Sequence, residues 1–150
     1  MSGTVVYYPL NYHKKQNPVT TQTDFIDKLK ELYENHFHEQ PEETEVLPVS
    51  GSDRRYVRFH TKNNRTVLGA YNPDKNENNT FFYFTRIFEK NELPVPEIIE
   101  ISQDKQHYLL EDLGSLSLFE VIEQEGHSER VKMLFKKSID QLVRFHWQGG

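Results

Sequence analysis

The amino-acid sequence contains no cysteine. A chain without thiols cannot form disulfide bonds, thiolate metal sites or a cysteine nucleophile. Small secreted domains commonly depend on disulfides for stability, so their absence favours a reducing compartment. We therefore expect a cytoplasmic location.

Long apolar runs are also lacking. No stretch approaches the roughly 20 apolar residues that a helix needs to cross a bilayer. The first residues, MSGTVVYYPLNYHKK, show no basic leader followed by an apolar core, which a secretory signal would have. We expect neither a secretory signal nor a membrane partner.

Basic residues are outnumbered by acidic ones. The chain has 18 lysines and arginines against 23 aspartates and glutamates, which gives a net charge of −5. An acidic chain lacks the electrostatic footprint of a nucleic-acid-binding protein. Among the seven histidines, His36 and His38 lie close in sequence but would point to different sides of a helix. We interpret them as a surface pair and not as metal ligands.

The first part of the chain, residues 1–44, is predicted to be a leader followed by an amphipathic helix. Residues 1 to about 20 include Pro9 and Pro18 and have no clear period, so we expect them to be flexible or to add an edge strand. From Thr23, a suitable N-cap, apolar residues recur at helical spacing. The helix is expected to end near His38, before a proline-containing connector.

An antiparallel meander of three strands is predicted next. The strands are Val46–Val49, Arg55–His60 and Thr66–Tyr71, and the second of them alternates between two faces. The turn at residues 50–53 joins the first two strands, and Asn63-Asn64 is a hairpin signal between the second and third.

The remaining elements complete an α+β pattern. Asn72–Asn79 is predicted to be a polar loop, and Thr80–Glu89 a helix capped by Thr80 with a buried stripe of phenylalanines and Ile87. Two further strands, a short helix and a longer helix follow, at Glu97–Ile101, His107–Glu111, Leu116–Glu123 and Ser128–Phe145. The longer helix is expected to bury its apolar side. Strands with one inserted helix predict an α+β fold with a five-stranded antiparallel sheet.

Three segments carry a resemblance to a known family. They are LPVSGSDRRYVR at 47–58, LPVPEI at 93–98 and YLLEDLG at 108–114. In this order and spacing they are similar to the small lobe of aminoglycoside phosphotransferase relatives, which have the protein-kinase-like fold. Within that family the chain most resembles bacterial anomeric sugar kinases that act on N-acetylmuramate or N-acetylglucosamine.

The resemblance implies a division of the chain and an activity. Residues 45–114 would form the kinase-like N-lobe with its hinge, and residues 115–150 would begin the C-lobe. The activity implied is ATP-dependent phosphoryl transfer to a sugar or aminoglycoside-like acceptor. The H-x-D loop and the later aspartate of the family do not occur in these 150 residues, so we expect the chain to be truncated before its catalytic residues. Magnesium would bind only together with the C-lobe.

The resemblance also implies a nucleotide site. Ser50, Gly51, Ser52 and Asp53 would cover the phosphates, as the glycine-rich loop of kinases does. Taken alone, this composition is more typical of an ordinary hairpin turn, and it is the other two segments that favour phosphate binding. Leu110 would be the gatekeeper, and the Glu111 carbonyl and the Leu113 amide would bind adenine, between valines such as Val49 and Val57. The alternative for that segment is a buried strand that ends in a turn.

The basic residues of the second strand have two interpretations. Arg54, Arg55 and Arg58 would bind phosphate, or they would form a solvated face paired with nearby acids. The third strand has no lysine where kinase-like lobes carry one, because Gly69 or Ala70 falls at that position. We expect Arg55 or Arg58 to serve instead.

Two other classes of function stay open. One is a non-catalytic interaction module that keeps the small-lobe fold and meets a partner through an exposed apolar patch. The other is an unrelated α+β binding domain with a chance match to the motifs. For a chain without its large lobe we also expect marginal stability and a tendency to form homodimers.

Overall fold

The computed structural model describes residues 22–49 and 51–149. The helices and strands follow one another as α1 (Gln22–Phe37), β1 (Glu43–Val46), β2 (Arg55–His60), β3 (Thr66–Tyr71), α2 (Lys75–Lys90), β4 (Ile98–Ile101), β5 (His107–Glu111), α3 (Leu118–Glu125) and α4 (Glu129–Gln148). The predicted leader at residues 1 to about 20 lies outside the described residues.

The strands form a five-stranded antiparallel sheet in the order β1-β2-β3-β5-β4. The predicted α+β class and the antiparallel sheet are therefore confirmed. In the centre of the sheet Ala70 lies opposite Tyr56 on one side and Tyr108 on the other. This register places the three side chains on one face, because residues directly opposite each other in a ladder share a face.

Each face of the sheet is covered by one helix. Phe25, Leu29 and Tyr33 of α1 are buried against one face, together with Val57, Phe59, Val67 and Leu109. On the other face Phe82 of α2 packs with Ala70, Tyr108 and Leu110. Successive strand residues point to opposite faces, so both faces can be apolar. The result is a helix–sheet–helix arrangement in which β3 and β5 are covered on both sides.

The first strand lies three residues earlier than predicted. It spans Glu43–Val46, whereas the pattern predicted Val46–Val49. A proline has no N–H to contribute to a ladder, and Pro48 lies within the predicted span. Val49 consequently lies outside the sheet, with 71% of its surface exposed.

The predicted loop Asn72–Asn79 is wrong for most of its length. Helix α2 begins at Lys75, with Asp74 as its N-cap accepting hydrogen bonds from the amides of Asn76 and Glu77 at 2.9 and 3.0 Å. Thr80, the predicted cap, lies inside the helix and donates its hydroxyl to the Asn76 carbonyl at 2.9 Å. The asparagine-rich first turn carries little apolar signal, so periodicity alone missed it.

The buried stripe of α2 also differs from the prediction. Asn78, Phe82 and Thr85 are its buried residues, whereas Phe84 is 44% exposed. The Asn78 side chain donates to the Asn72 and Lys105 carbonyls at 2.9 and 2.8 Å. The Asn78 Nδ2 therefore has two carbonyl partners, whereas its Oδ1 has none among the described residues. The two bonds fix the helix in a rotation that an apolar pattern cannot show.

The last two helices contact each other, and the end of α4 reaches α2. Phe145 meets Phe88 edge-on at 5.1 Å between ring centroids, and Arg144 donates to the Glu92 carbonyl at 3.0 Å. The predicted burial of the apolar side of α4 holds for Val131 but is wrong for Ile139, Leu142 and Val143, which are exposed. Within the described residues these three side chains keep more than half of their surface uncovered.

Candidate functional site

The turn before β2 is open and exposed. Gly51 has φ +37°, which favours glycine, and a Cβ built there would meet nothing within 4 Å. Ser52 accepts a hydrogen bond from the Arg54 amide at 3.4 Å, and Ser52 and Asp53 are both exposed. Ser50, the first residue of the predicted phosphate-binding turn, lies outside the described residues.

Arg54 is held on the α2 face of the sheet. Its Nη2 donates to Glu77 Oε1 at 2.6 Å, and its guanidinium lies 5.4 Å from the centre of the Phe81 ring. Only 18% of the side chain is exposed. Burial lowers the pKa of Arg54, but Tyr108, Tyr56 and Glu77 outweigh it and leave the pKa raised. The guanidinium is therefore a fixed cation beside the exposed turn.

Two polar atoms at this place have no partner among the described residues. They are Nε of Arg54 and the hydroxyl of Tyr108, and both are buried. Burial also raises the pKa of Tyr108, so its hydroxyl stays protonated. A buried donor without an acceptor is costly, and neither atom has surface open to an external ligand in this arrangement.

The two arginines of β2 that were predicted to bind phosphate lie on opposite faces. Arg55 is on the α1 face, with its guanidinium 5.6 Å from the centre of the Phe25 ring. Arg58 is on the α2 face and pairs with Asp112 through Nε at 2.6 Å and with Glu45 through Nη1 at 3.2 Å. The structure thus does not bring the predicted basic cluster together. Strand alternation places Arg55 on the opposite face from Arg54 and Arg58, and Arg58 lies four residues along the chain from Arg54.

At the position in β3 where a lysine was expected for a kinase-like lobe, the chain has a small buried residue. Gly69 faces α1, where an added Cβ would lie 2.9 Å from Phe59 and 3.3 Å from Leu29. Ala70 faces α2 and is fully buried between Tyr56 and Tyr108 of the neighbouring strands. A lysine at position 70 would therefore point to the same face as Glu77, whereas a lysine at position 69 would point toward α1.

Sequence reasoning missed the pairing of Arg54 with Glu77. The sequence pattern predicted a loop at Glu77. However, an aspartate with a glutamate three residues later, as at Asp74 and Glu77, is a signal for a helix N-terminus. With α2 starting at Lys75, Glu77 falls in the first helical turn and reaches Arg54.

The predicted hinge begins at Glu111, the last residue of β5. Leu110 is buried on the α2 face, and the Glu111 amide donates to the Glu97 carbonyl at 2.9 Å. Antiparallel hydrogen-bonded partners normally exchange two bonds, but the Glu97 amide binds the Glu111 side chain instead, at 3.3 Å. The Glu111 carbonyl therefore lacks that partner.

Leu113 follows two residues later and is 70% exposed. Within the described part of the chain, no group accepts a hydrogen bond from its amide. Among the described residues, the Glu97 amide does not bind the Glu111 carbonyl and no group accepts from the Leu113 amide, so an acceptor and a donor lie two residues apart where the chain leaves β5.

The apolar residues beside this segment are not the predicted valines. Val57 is fully buried in the α1 cluster, on the face away from Leu110, and Val49 lies outside the sheet. Leu68 is opposite Leu110 in the ladder and shares its face. Leu68 and Leu110 are therefore the apolar pair next to the hinge.

Residues 22–49 and 51–149 contain no group of three or more His, Asp or Glu side chains placed to hold a metal ion. The helices in this part of the chain are all too short or too polar to cross a bilayer. No protein-family model matches the chain, and comparison with curated proteins likewise finds no match.

Proposed function

We propose that this chain carries the nucleotide-binding lobe of an ATP-dependent small-molecule phosphotransferase with a protein-kinase-like fold. The acceptor would be a sugar or an aminoglycoside-like compound. The observation that carries the proposal is the Arg54–Glu77 pair, which holds a nearly buried cation on the α2 face beside the exposed turn at Gly51.

The pair provides what a triphosphate requires at this place. Kinase-like sites hold the α and β phosphates with a strand cation that a helix carboxylate fixes. Here a guanidinium takes the place of the lysine, and guanidinium N–H groups match phosphate oxygens.

The segment after β5 would bind the base. Adenine presents a donor and an acceptor side by side on one edge, and the Glu111 carbonyl and the Leu113 amide are a complementary acceptor and donor. The apolar side chains of Leu68 and Leu110 lie on the neighbouring face and would contact the ring. Phosphates and base would then occupy opposite ends of β2.

Catalysis needs groups that these residues do not supply. The described residues offer no cluster for magnesium, and the sequence has no H-x-D motif. The proposal for this chain is therefore nucleotide binding, with magnesium and acceptor bound together with a C-lobe. A cytoplasmic location, where ATP is available, belongs to the same proposal.

The experiment is a titration of the 15N-labelled chain with ATP, followed by two-dimensional NMR. We expect shift changes at residues 51–54 and 111–114, and we expect Arg54→Ala to weaken binding about tenfold. Arg55→Ala is the matched control, because it removes an arginine from the opposite face. Absence of ATP binding at millimolar concentration, or equal effects of the two variants, would overturn the proposal.

One observation favours a second candidate, a non-catalytic interaction module. Leu142, Val143, Phe145, His146 and Trp147 of α4 line an open depression of about 590 Å³, and Trp147 is 79% exposed. Exposed apolar patches of this kind often mark protein contacts. If a second copy of the chain covers it, sedimentation should show a concentration-dependent dimer that Leu142→Asp dissociates. A Leu142→Asp variant that sediments like the wild-type chain at every concentration would exclude this candidate.

A further inference from the structure

An ion pair joins two of the segments that carry the family resemblance. Arg58 lies in the segment 47–58, and Asp112 lies in the segment 108–114. Arg58 Nε and Nη2 donate to Asp112 Oδ2 and Oδ1 at 2.6 and 3.4 Å. The two side chains are 15% and 3% exposed. A two-point guanidinium–carboxylate pair fixes orientation as well as distance.

The other contacts of Asp112 hold the chain that follows β5. Its Oδ1 accepts the Gly114 amide at 2.9 Å, and Gly114 has φ +88°. Burial raises the pKa of Asp112, but hydrogen bonds from Arg58, Gly114 and Thr66 outweigh it and keep the pKa below its usual value. Asp112 therefore ties β2 to the turn that contains Leu113.

Arg58 is poorly suited to bind a phosphate. Its guanidinium already contacts both oxygens of Asp112 and Oε2 of Glu45. It also lies four residues along β2 from Arg54, which is about 13 Å at the usual strand rise. Two carboxylates around it would repel an added phosphate.

We infer that Arg58 and Asp112 are positioning residues that set the orientation of the Glu111 carbonyl and the Leu113 amide toward a purine base. The inference rests on the proposed nucleotide site and assigns Arg58 to the base end of that site. The pair acts through the backbone of residues 111–114 and touches no phosphate.

The test compares three ligands: adenosine, ATP and inorganic tripolyphosphate. Each is titrated into the wild-type chain, Arg58→Ala, Asp112→Asn and the double variant, and binding is followed by NMR shifts. Each single variant should bind adenosine and ATP about tenfold more weakly, with tripolyphosphate affinity unchanged. The double variant should bind adenosine with about the affinity of whichever single variant binds it more weakly, because the two substitutions break the same interaction.

Two further measurements separate positioning from loss of structure. Hydrogen exchange at the Leu113 and Gly114 amides should accelerate in both variants, while exchange in α1 stays as in the wild type. If Arg58→Ala does not fold, Arg58→Lys keeps the charge but loses the two-point contact, and it should show the same selective loss of adenosine affinity.

The outcomes distinguish this inference from the proposed function. If the wild-type chain binds none of the three ligands, both fail. If it binds ATP but the variants bind adenosine normally, the inference alone is wrong. Weaker tripolyphosphate binding in Arg58→Ala, with adenosine unaffected, would make Arg58 a phosphate ligand and would also overturn it.

Discussion

Glu77 Oε1 lies 2.6 Å from Arg54 Nη2, so the first turn of α2 is tied to the residue that precedes β2. The arginine side chain is mostly buried, and the glutamate side chain is 56% exposed. The pair thus links the helix to the sheet through one exposed and one mostly buried side chain. Because one partner is in solvent, the strength of this link depends on the salt concentration.

Replacing Glu77 should cost little stability. Because one partner is half exposed, we expect Glu77→Gln to lower the free energy of unfolding by about 0.5–1 kcal/mol at low salt, and by less in 1 M NaCl. Urea unfolding at both salt concentrations measures this. Glu129→Gln is the control: it also removes a carboxylate from the first turn of a helix, but its partner Lys132 and Glu129 itself are mainly exposed, so a smaller loss than in Glu77→Gln is expected. A loss of several kcal/mol in Glu77→Gln would show that the pair is buried in solution.

The beginning of α2 can be tested by capping substitutions. Asp74→Ala should lower stability by about 1 kcal/mol, since two amides of the first turn lose their acceptor. Thr80→Ala should be neutral or slightly stabilising, because Thr80 lies within the helix and alanine has the higher helix propensity. Thermal unfolding of both variants decides between the two helix starts. The reverse order of stabilities would place the cap at Thr80, as the sequence pattern predicted.

That helix start shows why the candidate site was only partly predictable. The apolar alternation of Arg55–His60 and the hairpin signal at Asn63-Asn64 were enough to predict β2 and β3 with their correct bounds. The pairing of Arg54 with Glu77 depends on where a polar turn becomes helical. Such a turn is stabilised by a cap and a buried amide, and hydrophobic periodicity reports neither.

The arginines illustrate a second limit. Sequence proximity suggested one basic cluster, but Arg55 and Arg58 lie on opposite faces, and Arg58 is paired with residues from two other segments. Long-range ion pairs have no local signature in the sequence.

The implied family, the nucleotide and the acceptor stay predictions, because the α+β fold and antiparallel sheet that the structure confirms are shared by proteins with many functions.

The stability of the fold should fall in weak acid because of His107. This ring is 2% exposed, and its Nδ1 lies 3.1 Å from Asp104 Oδ2. Burial lowers the pKa of His107 despite Asp104, so the unfolded chain binds the proton more readily. A depressed histidine pKa gives stability that is present above about pH 6.5 and is lost as the pH falls below it.

Urea unfolding at pH 7.5 and pH 5 measures this effect. His107→Gln should reduce the loss of stability between the two pH values, whereas His127→Gln, which removes an exposed histidine, should retain it. At lower pH a second loss is expected. Hydrogen bonds from Ser102, Gln106 and His107 outweigh burial and lower the pKa of Asp104 to about 2, so its contribution disappears between about pH 4 and pH 2. An unchanged pH dependence in His107→Gln would contradict the assignment.

A lysine introduced into β3 should partly take over the proposed role of Arg54 in binding ATP. Ala70 lies between Tyr56 and Tyr108 in the ladder, and both tyrosines contribute to raising the pKa of Arg54. In the double variant Arg54→Ala/Ala70→Lys, the new ammonium would reach the space that the arginine leaves and would pair with Glu77. A lysine is a point charge and lacks the guanidinium fork, so we expect partial recovery, with ATP bound about threefold more tightly than by Arg54→Ala alone.

The single variant Ala70→Lys is the control for this rescue. With Arg54 present it places two cations on one nearly buried face, where like charges repel and desolvation is costly. It should therefore be the least stable of the three variants in thermal unfolding. If the double variant folds and still binds ATP no better than Arg54→Ala, a cation facing Glu77 does not bind the phosphates, and the assignment of Arg54 is wrong.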